Sequence, residues 1–430
     1  MEYKKFHFSI IKNFFICSFG SLILRCITAS IGIVTLRYIT PADYSLLSLL
    51  NNFIAIVPIF LNLGLRQAFG LDFFHKNSYE RSRMVQEIIW IYLTLAIPIF
   101  LLSLFFIQSI NQIIFYGFAS TVLLLIALIC CFIHFFTELL LQVLRYQSKA
   151  FSLTMLQLCM TATTVVTTLL LVYFLRLSIM GMMLANLAGM LICLCYGGLQ
   201  YYKKIRLSLW QLRPSFTVYA YYLNLGLPFV PSIIFWWILA SGNRWFLASL
   251  STMHNVGIYS LADTFVQLFQ LLVLGPLSVS YVPYIFEQFA NNKHAIGTID
   301  AWNHRIMYAC MFIGSALITV GFFCFRPILY SILPPTYYEA IHYIYPMLIG
   351  QIFLLGSYFA LCYIQFFKHN YLMVLFVVIA ASTSCLLNRI LIPYLHIYGC
   401  VIAMTISYAL YFLLIIATTA FIKKQKKLVS

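Results

Sequence analysis

Long apolar runs dominate this chain and dictate what it can fold into. About twelve of them, each near the ~20 residues that carry a helix across a bilayer core, are separated by short polar connections. They are placed at roughly 13–37, 44–71, 85–108, 113–144, 151–175, 179–202, 218–248, 256–286, 305–325, 340–367, 370–392 and 396–422. Only 8% of the residues are charged and 63% are hydrophobic. Soluble domains carry about 25% charged residues, so a water-soluble globule is excluded. The expected fold class is an all-α polytopic membrane protein.

The net charge of +16 points first to nucleic acid, but its distribution does not. Nineteen of the 26 Lys and Arg residues fall in alternate connections or at the termini, three fall in the others, and four lie within spans. That asymmetry is the signature of cytoplasmic loops, so both termini are expected on the cytoplasmic side. No connection is long enough for a nucleic-acid-binding domain. The basic stretch Met1 to Lys12 resembles a signal peptide, but the apolar run behind it carries Arg25 and outlasts an h-region. It reads as a retained first helix. The 12 cysteines lie in or beside apolar segments without metal-ligand spacing and read as small packers. No metal or cofactor is expected.

Short strings recur between the halves. Asp43-Tyr-Ser-Leu-Leu parallels Ile258-Tyr-Ser-Leu-Ala, and Ile179-Met-Gly-Met-Met-Leu-Ala parallels Ile397-Tyr-Gly-Cys-Val-Ile-Ala, at nearly one offset. Two six-helix lobes are expected, 1–202 and 218–430, joined by a cytoplasmic linker at 203–217. Repeats of one orientation place a transport site between halves.

Helical periodicity gathers the polar residues of the spans into stripes. Ser18, Ser21, Arg25, Thr28, Gly32 and Thr35 share a face of span 1; Ser45, Ser48, Asn52, Asn62 and Arg66 share one of span 2. Span 4 offers His134, Glu138, Gln142 and Arg145, and span 8 offers Ser260, Asp263, Thr264, Gln267 and Gln270. Span 5 carries Thr154, Gln157, Thr161, Thr164 and Thr168. Small and hydroxyl residues also line packing faces in membrane bundles, and both readings stand for the threonines. Packing does not require a cation. An arginine at mid-membrane costs on the order of 3 kcal/mol on insertion scales, so it faces protein, an acid or water. Four arginines, Arg25, Arg66, Arg244 and Arg389, meet two acids in the spans, Glu138 and Asp263. Depth counting pairs Arg66 with Glu138 and Arg244 with Asp263, and leaves Arg25 and Arg389 without an acid. Arg389 is near enough to a span end to reach the interface. The two acids are read as ion-coupling groups or as structural partners. An arginine fork left over in a cavity suits a phosphate or diphosphate, bidentately and at any physiological pH.

Leu225-Gly-Leu-Pro-Phe-Val-Pro-Ser, Trp237-Ile-Leu-Ala-Ser-Gly-Asn-Arg-Trp-Phe-Leu and Val256-Gly-Ile-Tyr-Ser-Leu-Ala follow one another here. With Leu36-Arg-Tyr-Ile-Thr-Pro-Ala-Asp-Tyr, Leu63-Gly-Leu-Arg-Gln-Ala and Tyr398-Gly-Cys-Val-Ile-Ala, this order resembles the polysaccharide-type flippases. Those proteins move lipid-linked oligosaccharide repeat units for O-antigen or capsule, and belong to the multidrug/oligosaccharidyl-lipid/polysaccharide exporter superfamily. Asn243 stands where that family often has Asp. The resemblance implies a cationic central cavity and an undecaprenyl-diphosphate-linked substrate flipped across a bacterial inner membrane. It implies Arg25, Arg66 and Arg244 as anion contacts, and Asn52, Asn62, Gln267 and Gln270 as contacts for sugar hydroxyls. Lipid-linked oligosaccharide, membrane lipid, a coupling proton or sodium ion, and glycan polymerase and chain-length machinery are the implied partners. The competing readings are a cation-coupled multidrug exporter of the same superfamily and a membrane glycan polymerase or glycosyltransferase. For the last, Asp43 is the one tempting acid, and its position just after Pro41 reads better as a cap; the chain is not expected to be an enzyme.

Overall fold

The computed structural model describes residues 27–28, 31–73, 76–147, 149–202, 214–291, 296–367 and 369–429. Among them the chain is helical, with no strand. Eleven helices there are long and apolar enough to cross a membrane. The expected first span lies for the most part outside the described residues, and Arg25 with it. The chain divides into two compact units, 1–234 and 235–430.

In the first unit, α1 (Pro41–Asn62) starts where Thr40 caps it: its hydroxyl accepts from the Asp43 amide at 3.1 Å and donates to the Asp43 carboxylate at 2.9 Å. Asp43 is thus the first-turn partner of the cap and Thr40 is the cap itself. Span 2 does not run through as one helix. Leu63 and Gly64 turn left-handed (φ 45° and 81°), and the chain resumes as α2 (Leu65–Asp72). Asn77 and Glu80 form a reciprocal capping box that opens α3 (Ser78–Phe105), satisfying two orphan amides. The expected span at 113–144 is two pieces, α4 (Ile107–Ile114) and α5 (Thr121–Tyr146). Tyr116 and Gly117 reverse the chain between them in left-handed conformations, and the Ser120 hydroxyl caps α5. Their apolar flanks hid this turn from a hydrophobicity count.

Helix α5 is largely buried against α1 and against α7 (Ser178–Tyr202), which also packs along α6 (Ala150–Thr168). Of the span 5 threonines, Thr164 sits in that packing. Thr164 bonds its own helix at the Met160 carbonyl, and a Cβ on Gly189 of α7 would lie 2.1 Å from its hydroxyl. Helix α8 (Phe216–Gly226) returns to the start of the unit. There Gly226 meets Gly64 backbone to backbone: a Cβ on Gly64 would lie 2.2 Å from the Gly226 carbonyl oxygen.

Pro228 lies in a short 3-10 turn before α9 (Val230–Ser241), within which the first unit ends at Ile234, and in the second unit Gly242 separates that helix from α10 (Asn243–Leu250). Thr252 caps α11 (Met253–Phe269), which loosens into a π-helical turn at Gln270–Leu274 before α12 (Gly275–Asn291). Helix α13 (Ile296–Ile332) is longer than the expected 305–325, because Arg305 and Arg326 sit within it instead of ending it. Helix α14 (Tyr338–Phe366) is the buried axis, packed by α11, α13 and α16 (Ile397–Val429), and α15 (Asn370–Leu395) lies against α10 and α16.

Candidate functional site

Within the first unit, polar side chains gather where α2 meets α5. The break at Leu63–Gly64 aims Arg66 toward Glu138, and their charged atoms lie 3.2 Å apart. Each side chain is about one-third exposed, 32% and 31%. One turn further along α5, Gln142 donates to the Arg66 carbonyl at 3.1 Å and to the Tyr146 hydroxyl at 2.9 Å. One turn earlier, His134 lies within electrostatic reach of Glu138 and Arg66. Asn52 is buried on α1.

Asn62, expected to contact sugar, bonds the backbone of its own joint here. Its amide donates to the Pro58 carbonyl at 2.5 Å and its oxygen accepts from the Gly64 amide at 3.0 Å. It splints the joint between α1 and α2, replacing hydrogen bonds that the break removes.

In the second unit, Arg244 and Asp263 are both buried and form an ion pair between α10 and α11. The same carboxylate oxygen accepts from Gln267 at 2.9 Å, so Gln267 supports the pair from one turn away. Asn243 does not supply the acid that its neighbour's charge calls for. It donates to the Tyr259 hydroxyl at 3.1 Å and accepts from Asn388 at 2.7 Å, while Ser384 bonds it at 3.4 Å. Gln270 reaches Gln351 at 2.9 Å. A buried guanidinium stripped of its carboxylate costs about 3–5 kcal/mol, whereas a satisfied pair is close to neutral against an apolar substitute. The network therefore holds three spans in register more than it adds net stability.

The structure thus shows both ion pairs that depth counting anticipated. Arg389 is exposed, and Arg25 lies outside the described residues. Ser384, Asn388 and Gln351 were missed by the sequence reading. Ser384 and Asn388 sit four apart on one face of span 11, which was a usable signal beside Arg389; Gln351, with no polar neighbour at helical spacing in mid-span 10, gave none. Arg66 and Arg244 are each matched to an acid, with uncharged hydrogen-bonding groups beside the pair.

The sequence matches the family model described as "Polysaccharide biosynthesis protein" over residues 10–289. No curated protein gives a significant match. Among solved structures, the chain is similar to an inward-facing multidrug resistance MATE family transporter of the MOP superfamily. The TM-score is 0.76 at 14% identity, over 95% of this chain and 99% of that one. An outward-facing conformation of a MATE family transporter matches at TM-score 0.67 and 14% identity, over 95% of each chain. The lipid II flippase MurJ, in an inward closed conformation, matches at TM-score 0.65 and 14% identity, over 94% of this chain and 87% of that one. At these identities the likeness is one of fold.

Proposed function

Because this chain belongs to the polysaccharide biosynthesis protein family, we propose that it is a flippase for undecaprenyl-diphosphate-linked oligosaccharide repeat units. It carries them from the cytoplasmic to the outer leaflet of a bacterial inner membrane by alternating access of two six-helix lobes. The observation that carries this reading is the excess of arginine over acid within the spans. Glu138 and Asp263 are each engaged by an arginine, and Arg25 has no acid at its depth in the sequence. A diphosphate supplies the missing anion and accepts a guanidinium fork on two oxygens. Arg25 is the primary head-group contact, and Arg66 and Arg244 exchange their carboxylates for phosphate as the site fills. Asn52, Gln267 and Gln270 face sugar hydroxyls at other stages of the cycle.

The MATE likeness supports a second reading, export of cationic drugs. Such a cargo needs acids available to it, and the mid-span acids Glu138 and Asp263 are already engaged by arginines. The two readings separate in one experiment. Purified protein in liposomes is given lipid-linked oligosaccharide with a diphosphate head, and the fraction accessible to an outside glycosidase is followed. Arg25→Ala is expected to abolish that movement while inserting normally. Normal flipping by Arg25→Ala sinks the arginine reading; efflux of a cationic dye with no glycan movement favours drug export.

A further inference from the structure

At one end of the first unit the chain makes a detour that transport does not explain. Helix α3 ends at Phe105, α4 follows as a separate eight-residue piece, and α5 begins at Thr121. No residue of α4 is buried. Its isoleucines fall on one side, while Gln108, Ser109 and Gln112 fall on the other. The large apolar residues around it are bare: Phe105 is 82% exposed, Ile113 75% and Phe118 59%, with Phe106 and Tyr116 near half.

This exposure is not slack. Asn111 locks the turn, donating to the Ala119 carbonyl at 2.6 Å and accepting from the Ala119 amide at 3.2 Å. Its own carbonyl accepts from the amides of Phe115 and Gly117, each at 3.0 Å. Phe115 is fully buried edge-on to Phe53 of α1, pinning the turn to the unit. The sequence also withholds charge here: between Glu87 and His134 there is no charged residue.

The flanking helices are both membrane spans, so the segment joining them sits at the membrane border. The exposed apolar surface of α3, including Leu101 and Leu102, continues into Phe106, Ile113 and Phe118 without a charged break. We propose that α4 and its turn form an in-plane membrane anchor. Phe105, Phe106, Ile113, Tyr116 and Phe118 lie at the headgroup–acyl boundary, and the glutamine face lies in water. Aromatic rings favour that depth, and an amphipathic helix binds there in proportion to its buried apolar area. The anchor fixes how deep the first unit rides, independently of what the protein carries.

The test is photocrosslinking in the full chain. p-Benzoylphenylalanine replaces Phe106, Ile113, Phe118 or Gln112 in protein reconstituted into phosphatidylcholine–phosphatidylglycerol vesicles, and phospholipid adducts are read by mass. Adduct yields at Phe106, Ile113 and Phe118 several times that at Gln112 are expected. A second measurement sets depth: a fluorophore at Ile113 should be quenched by lipids labelled high on the acyl chain more than by iodide in water. Equal yields on the two faces, iodide quenching dominating at Ile113, or adducts to a second copy of the protein would each overturn the anchor. None of these results depends on flipping.

Discussion

Asp263 accepts from Arg244 and Gln267 at once, so its removal strands a buried guanidinium. Asp263→Ala should lower stability by about 3–5 kcal/mol, read as a fall in thermal unfolding temperature in detergent, and pairing it with Arg244→Ala should recover much of the loss. Glu138→Ala should cost far less, about 1 kcal/mol, because both members of its pair keep a third of their surface. Equal losses for the two would refute the burial argument. Both pairs were legible in the sequence, since distance from a helix end measures depth in a membrane. The duties of Asn62 and Gln270 were not. Periodicity says which face a side chain is on, whereas Asn62 serves a helix break and Gln270 a bond to Gln351 on another helix, both set by packing.

The join between α2 and α8 is built from two copies of one tripeptide, Leu63-Gly-Leu and Leu225-Gly-Leu, whose glycines touch. Beside them Tyr222 accepts from Lys76 at 2.9 Å, Tyr221 donates to Asp72 at 2.9 Å, and Tyr219 meets Thr94 at 3.0 Å. Gly226→Val should fail to give a monodisperse folded protein on size-exclusion chromatography, because its side chain would meet the Gly64 backbone. Gly64→Ala adds a left-handed backbone cost of about 1–2 kcal/mol to the same clash. Lys76, outside the spans, also gives the clasp a pH dependence. Burial pulls its pKa down, but the bonds to Tyr222 and Asp72 outweigh that and leave it raised above 10.5. Its contribution is therefore complete below the ordinary lysine range and lost as pH rises through the raised value. Unfolding temperature in Lys76→Met should lie below the wild type at neutral pH and converge with it in strong alkali. The motifs were visible in the sequence as separate strings; their contact was not, because 162 residues part the two glycines and nothing local couples them.

For the whole molecule, the distribution of Lys and Arg predicts both termini in the cytoplasm. Green fluorescent protein fused after Ser430 should fluoresce, and alkaline phosphatase there should be inactive; the reverse pattern would invert the topology. The helical, many-span architecture followed from apolar runs of bilayer length, and eleven of those spans are seen. Their ends were less legible. Arg305 and Arg326 looked like boundaries, but α13 carries them within its 37 residues, about 55 Å at 1.5 Å each, well beyond a ~30 Å hydrocarbon core. Arg244 and Asp263 are 19 positions apart, on helices joined by Ser251 and Thr252 alone. A translocon therefore meets both charges in quick succession, and can release the two segments sideways into lipid as one neutral hairpin. Arg66 must wait far longer, until synthesis reaches Glu138, so the first half of the chain is the one that needs sheltering during biogenesis.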